Sequence, residues 1–185
     1  MKRLVPIALS LVLVLAGVAA HTGCATAEDE GEMEMPFGGP EDVTFAKNLW
    51  QGMMGYESWK MSSDYYEGMS PHGAFLRMYY NVVNVEGAPY HVIVKDNFGG
   101  EGATLEKVAE SSEDYLAAVT VMVQRHEGYD PENRNWYYVK YDADGAVSMN
   151  EESMALAGRV AKGMDSGCIA CHAKAGGDDY IFTND

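Results

Sequence analysis

Two cysteines and a histidine near the C-terminus form the pattern with the clearest chemistry. Cys168 and Cys171 are separated by two residues, and His172 follows directly in the sequence C-I-A-C-H. Two thiols at this spacing can form thioethers with the two vinyl groups on one edge of a porphyrin, while the adjacent imidazole ligates the iron. The motif therefore predicts one covalently bound haem c, with His172 as the proximal ligand of the iron.

Two other uses of a C-x-x-C pattern fit the chain less well. A structural zinc ion takes four ligands, and the only other cysteine in the chain is Cys24. A redox-active dithiol belongs near a strand–helix–strand unit, whereas Cys168 follows Gly167 and a segment that we predict to be helical. Haem attachment is therefore favoured over both alternatives.

The position of the motif restricts the class of haem protein. Only residues 173–185 follow His172, and they contain no methionine. A small electron-transfer cytochrome c takes a methionine ligand from residues downstream of its motif, which is not possible here. Any sixth ligand must come from the preceding residues, where His72, His91 and His126 are candidates. Such a ligand would make the protein a six-coordinate electron carrier.

The first residues are typical of an export signal. Lys2 and Arg3 precede an apolar stretch over residues 4–20, and small residues follow it. The stretch is short for a membrane-spanning helix and contains Pro6, so a retained membrane anchor is disfavoured. We therefore expect a signal peptide over residues 1–24.

Two kinds of processing fit the end of this signal. Residues 25–27 (A-T-A) match the small-residue rule for ordinary cleavage. Residues 22–24 (T-G-C) resemble a bacterial lipobox, although His21 stands where that motif has an aliphatic residue. We favour lipidation at Cys24, and hence a periplasmic protein with a lipid anchor; otherwise we expect a soluble periplasmic or secreted protein.

Acidic residues dominate the composition. The chain has 28 Asp and Glu against 13 Lys and Arg, a net charge of −15. Removal of residues 1–23, which carry two basic and no acidic residues, leaves −17. This charge excludes nucleic acid as a partner, because phosphate binding requires a basic surface, but it can attract a basic redox partner. The acidic, Gly- and Pro-containing residues 25–40 predict a flexible linker before one domain over residues 41–185.

The domain combines strand and helix patterns. Runs rich in β-branched and aromatic residues predict strands over residues 76–85, 90–95, 117–125 and 136–141. Apolar residues at helical spacing predict a helix that starts at residues 40–42 and a second helix over residues 151–164. We therefore predict an α+β fold, a small antiparallel β-sheet flanked by helices with the haem at the C-terminus. The strands argue against the four-helix bundle of cytochromes c′, which also end in this motif.

Further motifs occur in the order of one known family. Residues 56–59 (Y-E-S-W), 72–81 (H-G-A-F-L-R-M-Y-Y-N), 92–98 (V-I-V-K-D-N-F), 121–138 (from V-M-V-Q-R to N-W-Y-Y) and 179–183 (D-Y-I-F-T) carry them. Together with C-x-x-C-H they resemble the cytochrome P-460 family, which includes the cytochromes c′-beta. The resemblance covers nearly all of residues 42–185. It implies a mostly antiparallel β fold, often dimeric, with a five-coordinate haem.

The resemblance implies two different chemistries. Cytochromes P-460 oxidise hydroxylamine with a haem that is also crosslinked to a lysine, and they carry an acidic residue on the distal side. Cytochromes c′-beta lack this activity and bind small gases such as nitric oxide in an apolar distal pocket. Residues 117–125 contain no carboxylate, which favours the gas-binding type, because proton abstraction from hydroxylamine requires a base within reach.

Two further side chains are candidates for the site. Lys95 lies in an apolar strand, where an unpaired ammonium is costly, so it is the candidate for a haem crosslink. The alternative for Lys95 is an outward-facing lysine on an edge strand. Arg77 is a candidate contact for a haem propionate or a distal ligand, with a plain surface arginine as the alternative.

We therefore expect an exported haem protein with an open distal iron site. Its expected ligand is a small nitrogen-containing species, most readily nitric oxide. Hydroxylamine oxidation by a Lys95-crosslinked haem is the first alternative, and a six-coordinate electron-transfer cytochrome is the second. The resemblance also makes a homodimer an expectation.

Overall fold

The computed structural model describes residues 36–182. The expected signal peptide and most of the expected linker lie outside the described residues. Within the described part of that linker, Phe37 is buried and the Gly38 N–H donates to the carbonyl oxygen of Ala157 over 2.8 Å. The packed domain therefore begins before residue 41, earlier than the sequence predicted. No described helix is long and apolar enough to cross a membrane.

Between residues 36 and 182 the chain forms one antiparallel sheet of seven strands. The strands are β1 (Met61–Ser62), β2 (Tyr66–Glu67), β3 (Phe75–Val85), β4 (Ala88–Phe98), β5 (Leu116–Gln124), β6 (Trp136–Asp142) and β7 (Ala157–Gly158). The sheet order is β1-β3-β4-β5-β6-β7, and β2 also pairs with β3. The four long strands are the four that the sequence predicted.

Four α-helices accompany the sheet in the described part of the chain. They are α1 (Pro40–Met53), α2 (Leu105–Glu110), α3 (Ser112–Tyr115) and α4 (Cys168–His172). Pro40 occupies the first turn of α1, where its missing N–H has no intrahelical partner to lose. Glu41 and Asp42 follow in the same turn, where the helix dipole favours negative charge. The α+β fold class is confirmed.

The predicted helix over residues 151–164 is wrong. Apolar residues of this segment alternate instead of following helical spacing: Ala155 and Ala157 are buried, while Leu156 points to the other side and lines a cavity. The Lys140 N–H donates to the Leu156 carbonyl over 2.9 Å, and Ala157 pairs with β6 through the short strand β7. Pairing with the edge of β6 satisfies backbone groups that a helix would have left exposed.

The two faces of the sheet bury different clusters. Helix α1 covers one face and forms the larger core, which includes Phe45, Ala46, Leu49, Met53, Tyr79, Val92, Val94, Val121, Tyr137 and Tyr141. The opposite face carries a smaller cluster, which includes Phe37, Met78, Ile93, Met122, Trp136, Tyr138 and Ile169. Because side chains alternate along a strand, neighbouring residues of β4 to β6 serve different faces.

Candidate haem site

A cavity of about 430 Å³ lies on the face of the sheet opposite to α1. Strands β4, β5 and β6 form its floor, and the loop at residues 71–73 and the C-terminal segment form its sides. Its volume falls in the range of about 300–1,000 Å³ that is usual for cofactor pockets. Cys168, Cys171 and His172 all line it. The structure therefore brings the three motif residues to one concave site.

Helix α4 presents the motif to the cavity. Ile169 is buried and its N–H donates to the carbonyl oxygen of Val160 over 3.3 Å, which fixes the helix to the domain. Gly167 begins the helix with a φ of 116°, and a Cβ there would lie 2.3 Å from the Cβ of Ala161. Only glycine fits this close approach. The Cys168 side chain is largely buried, and burial raises the pKa of its thiol to about 11.

The imidazole of His172 is held in one tautomer. Its Nδ1 lies 2.7 Å from the backbone carbonyl oxygen of Tyr180. A carbonyl can only accept, so Nδ1 carries the proton and Nε2 keeps its lone pair. Burial also lowers the pKa of His172, which keeps the ring neutral. A neutral imidazole with its other nitrogen hydrogen-bonded is the usual state of a metal-binding histidine.

The C-terminal residues hold this carbonyl in place. Trp136, at the start of β6, donates its Nε1–H to the carbonyl oxygen of Asp179 over 2.9 Å, and the Ile181 N–H donates to Asp179 Oδ1 over 3.0 Å. The described part of the D-Y-I-F-T segment, residues 179–182, thus has a structural role, because it carries the acceptor that orients His172.

Lys95 points into the cavity. Strand β4 lies between β3 and β5, so Lys95 is not on an edge strand. Burial lowers the pKa of its ammonium, and the nearby Cys171 acts in the opposite direction. The side chain predicted for a crosslink is therefore placed beside the motif cysteines.

Sequence reasoning missed a second lysine in the cavity. Lys140 on β6 lines it together with Lys95. The two lysines lie in the same row across the sheet, because Lys95 on β4 pairs with Thr120 on β5, which in turn pairs with Lys140. None of the described residues that line the cavity is an aspartate or a glutamate. As far as the chain is described, the site thus combines an apolar interior with two ammonium groups and no carboxylate.

Among the other described histidines, only His72 lines the cavity; His91 and His126 are exposed elsewhere. His72 Nδ1 lies 2.8 Å from the Oδ1 of Asn97, a cavity residue on β4 that sequence reasoning also missed. Burial and the charge of Lys95 lower the pKa of His72 to about 4. His72 is therefore neutral in the neutral pH range.

The structure does not bring Arg77 to the cavity. Its guanidinium donates to the Ser63 carbonyl oxygen and to the Tyr65 hydroxyl, each over 3.3 Å. It also stacks over the ring of Tyr79, 5.1 Å from the ring centre, and Tyr79 belongs to the core on the α1 side. Arg77 shares that face because β3 alternates, and it organises the other side of the sheet.

The cavity also holds an unpaired hydroxyl. Tyr138 is buried, and its hydroxyl has no hydrogen-bond partner. The Tyr138 ring centre lies 5.4 Å from that of His172. A buried polar group without a partner is costly, so the site fits an occupant that supplies an acceptor. Together with the free Nε2 of His172 and two adjacent thiols, the residues present fit a haem.

Beyond these residues, the described part of the chain contains no group of three or more His, Cys, Asp and Glu side chains arranged to hold a metal ion. The alternative of a zinc site at the C-x-x-C pair therefore lacks a ligand set among these residues, since zinc requires four ligands.

A sheet whose C-terminal C-x-x-C-H helix closes a cavity of this composition defines a haem protein. The family model Cytochrome P460 matches residues 53–183, which include the long strands and the motif. The chain therefore belongs to the cytochrome P460 family, and the resemblance seen in the sequence is confirmed. No curated protein and no solved structure matches the chain.

Proposed function

We propose that Cys168 and Cys171 attach one haem covalently, that His172 ligates its iron, and that the site captures a small nitrogen-containing molecule, most readily nitric oxide. The bound haem supplies an iron coordination position for such a ligand. The observation that carries the proposal is the composition of the cavity, which has a neutral, oriented His172 and no carboxylate among its described lining residues.

The apolar part of the lining suits an uncharged diatomic ligand. Met78, Ile93, Met122 and Val160 line the same cavity as His172. Such apolar side chains offer a diatomic ligand contacts that need no proton transfer. Ligand capture therefore requires only the iron position and an apolar volume beside it.

Oxidation of hydroxylamine requires more from the protein. Protons must leave the substrate as electrons are withdrawn, and a base must stand within hydrogen-bond reach. Thr120 and Met122, which face the cavity from β5, cannot accept these protons, and no described lining residue is a carboxylate. The lack of a carboxylate base is why we prefer binding to oxidation.

Hydroxylamine oxidation is the second candidate, because Lys95 faces the cavity beside Cys171. A bond from its nitrogen to the porphyrin would remove a costly buried charge. The base would then be the neutral imidazole of His72 instead of a carboxylate.

The experiment uses the full-length chain produced with a cytochrome c maturation system. We expect haem that stays attached after denaturation, stoichiometric nitric oxide binding to the ferrous form, and no turnover of hydroxylamine with an electron-accepting dye. Replacement His172→Ala should abolish normal proximal ligation, whereas the exposed control His126→Ala should bind nitric oxide as the unmodified chain does.

Two results would contradict the proposal. Hydroxylamine turnover with a red-shifted, broadened Soret band that persists after denaturation would establish the second candidate. A His172→Ala variant with an unchanged iron environment would show that the proximal ligand is another residue.

A further inference from the structure

His72 lies in the loop at residues 68–74, between β2 and β3, and lines the haem cavity. The centre of its ring is 6.3 Å from that of His172, and the two ring planes are perpendicular, at 90°. Its Nδ1 lies 2.8 Å from the Oδ1 of Asn97, and its backbone N–H donates to the Met69 carbonyl oxygen over 2.9 Å, so protein contacts hold the imidazole near His172. The hydrogen bonds around His72 decide which of its nitrogens is available.

The orientation of Asn97 fixes the tautomer of His72. The Asn97 Nδ2 donates to three oxygens: the Lys95 carbonyl at 2.8 Å, the Ala118 carbonyl at 3.3 Å and Thr120 Oγ1 at 3.1 Å. The amide oxygen is therefore the atom that faces His72, and it can only accept. It follows that His72 Nδ1 carries the proton and donates it over 2.8 Å. His72 Nε2 keeps a free lone pair.

The spacing of the two rings would suit two imidazoles that hold one metal ion between them. A metal–imidazole bond is about 2.0–2.1 Å long, and a ring nitrogen lies about 1.1 Å from its ring centre, so two imidazoles on opposite sides of one metal ion have centres about 6.3 Å apart. The observed separation is 6.3 Å. Both rings have the same state, with Nδ1–H held by a carbonyl-type oxygen and Nε2 free.

We propose that His72 Nε2 is a displaceable sixth ligand of the haem iron and that Asn97 is the residue that positions it. The inference deepens the proposed function, on which it rests, because the small ligand must displace His72 in order to bind. Residues 69–71 beside His72 are exposed, whereas Gly73 packs tightly against the backbone of Phe98. Capture of the ligand would then be coupled to displacement of the His72 side chain from the iron.

The first test is the spectrum of the haem-loaded full-length chain without added ligand. We expect a low-spin, six-coordinate iron in the ferrous and ferric forms, and a high-spin, five-coordinate iron in His72→Ala. His91→Ala, which removes an exposed histidine on β4, should keep the low-spin spectrum. Added imidazole should restore the low-spin spectrum to His72→Ala, which also shows that this variant is folded.

The second test measures competition. The rate of nitric oxide binding to the unmodified ferrous protein should level off with ligand concentration, because dissociation of His72 limits it. His72→Ala should bind faster in proportion to concentration, with an apparent affinity at least about tenfold higher, since no competing state then reduces the competent fraction.

The positioning role of Asn97 has its own control. Asn97→Leu removes the acceptor for His72 Nδ1 and should shift part of the iron to the high-spin state. Thr120→Val removes one partner of Asn97 but leaves the bond to His72, so it should remain low-spin. A high-spin Thr120→Val together with a low-spin Asn97→Leu would overturn the role of Asn97.

An unmodified protein that is five-coordinate and has the same spectrum as His72→Ala would overturn the ligation itself. This failure is distinct from failure of the proposed function. If His72→Ala becomes five-coordinate but neither protein binds nitric oxide, the ligation stands and the proposed function falls. If both bind nitric oxide at equal rates with equal spectra, the ligation falls and the proposed function stands.

Discussion

The indole Nε1–H of Trp136 donates to the backbone carbonyl oxygen of Asp179 across 2.9 Å. The next residue, Tyr180, offers the carbonyl oxygen that accepts the Nδ1–H of His172 at 2.7 Å. A strand residue more than thirty positions before the motif therefore helps to set the orientation of the His172 imidazole. Residues 179–181 hold the acceptor that orients His172, the proposed iron ligand.

Replacement Trp136→Phe should weaken the hold on His172 while leaving the sheet intact. The aromatic ring is kept, but the bond to Asp179 is lost, and the Tyr180 carbonyl is less well placed. Partners of a ligating histidine are worth about 10–100-fold in metal affinity. We expect the acid midpoint for loss of proximal ligation, followed by Soret absorption, to rise by about one pH unit. Trp59→Phe, on the α1 side of the sheet, should leave this midpoint unchanged; an equal shift in both variants would contradict the relationship.

Lys95→Met and Lys140→Met should each weaken the binding of anionic ligands such as azide or nitrite to the ferric protein. Two ammonium groups in a cavity whose described lining has no carboxylate attract anions, and removal of one at low dielectric is expected to cost about tenfold in affinity. Nitric oxide binding to the ferrous form should change little, because this ligand is uncharged. The comparison requires equilibrium titrations of both ligands.

The control for these lysines is Lys47→Met, on the exposed side of α1. If this variant reduces anion affinity as much as the two cavity variants, net charge and not position is responsible. A crosslink at Lys95 would be visible separately, as a haem mass on the Lys95 peptide of the unmodified protein that Lys95→Met lacks.

Gly167→Ala should impair the protein more than an ordinary glycine replacement. The added methyl group would meet the Cβ of Ala161 at 2.3 Å, in a backbone conformation with φ of 116°. Strain of this kind costs on the order of 1–3 kcal/mol, before the clash is added. Gly163→Ala is the matched control, because φ is 72° and no atom lies within 4 Å of the added carbon.

Thermal unfolding measures the difference between these two glycines. Gly163→Ala should lose only the stability that corresponds to the backbone strain. Gly167→Ala should lose more stability and retain less haem, because the added methyl group displaces α4 from its position against Ala161. Equal losses in the two variants would show that the contact with Ala161 is relieved by movement.

Asp96 should make the protein less stable as the pH rises from about 4 to 6. Asp96 is 3% exposed and accepts a hydrogen bond from Tyr56 over 2.6 Å. Burial raises the pKa of its carboxyl from 3.8 to about 6, although the hydrogen bonds from Tyr56 and Tyr79 lower it. In this window the unfolded chain releases a proton that the folded protein keeps, so the free energy of unfolding falls with increasing pH.

Asp96→Asn isolates this contribution. The variant keeps an acceptor for Tyr56 but does not titrate, so the stability of the unmodified protein relative to it should fall by on the order of 2 kcal/mol between pH 4 and 7. Denaturant unfolding at several pH values measures it. The exposed control Asp64→Asn should show the same dependence of unfolding free energy on pH as the unmodified protein. If the difference in stability between Asp96→Asn and the unmodified protein does not vary with pH, the Asp96 carboxyl is not the cause of that dependence.

Much of the fold could be predicted because the long strands carry strong local patterns. β-branched and aromatic residues mark β3 to β6, and the turns between them are rich in Gly, Pro, Asn and Asp. Residues 151–164 were misread because small apolar residues fit both a helix and an extended segment, and only the exposed edge of β6 decides between them. Propensity could not show this, since the partner strand is distant in sequence.

The sequence predicted those parts of the candidate site that depend on local residue spacing. The motif residues and Lys95 lie together in the cavity, but Arg77 does not. The pairing register of β3 with its neighbours decides which face of the sheet each of its side chains occupies, and it places Arg77 on the α1 side. Lys140 and Asn97 were accessible in principle: once β4, β5 and β6 are placed in register, both fall on the face of Lys95. The tautomer of His72 depends on its bond to Asn97 and on the three bonds that orient the Asn97 amide, two of which reach β5. Sequence spacing does not reveal these contacts.

The division of the sheet into two faces has an evolutionary consequence. Most positions that line the cavity alternate along β4 to β6 with positions that pack against α1, although Val121 and Val139 belong to the α1-side core and also border the cavity. Substitutions at residues 95, 97, 120, 122, 138 and 140 would therefore change mainly the cavity. The lining of the proposed haem site could thus vary in evolution while the fold stays the same.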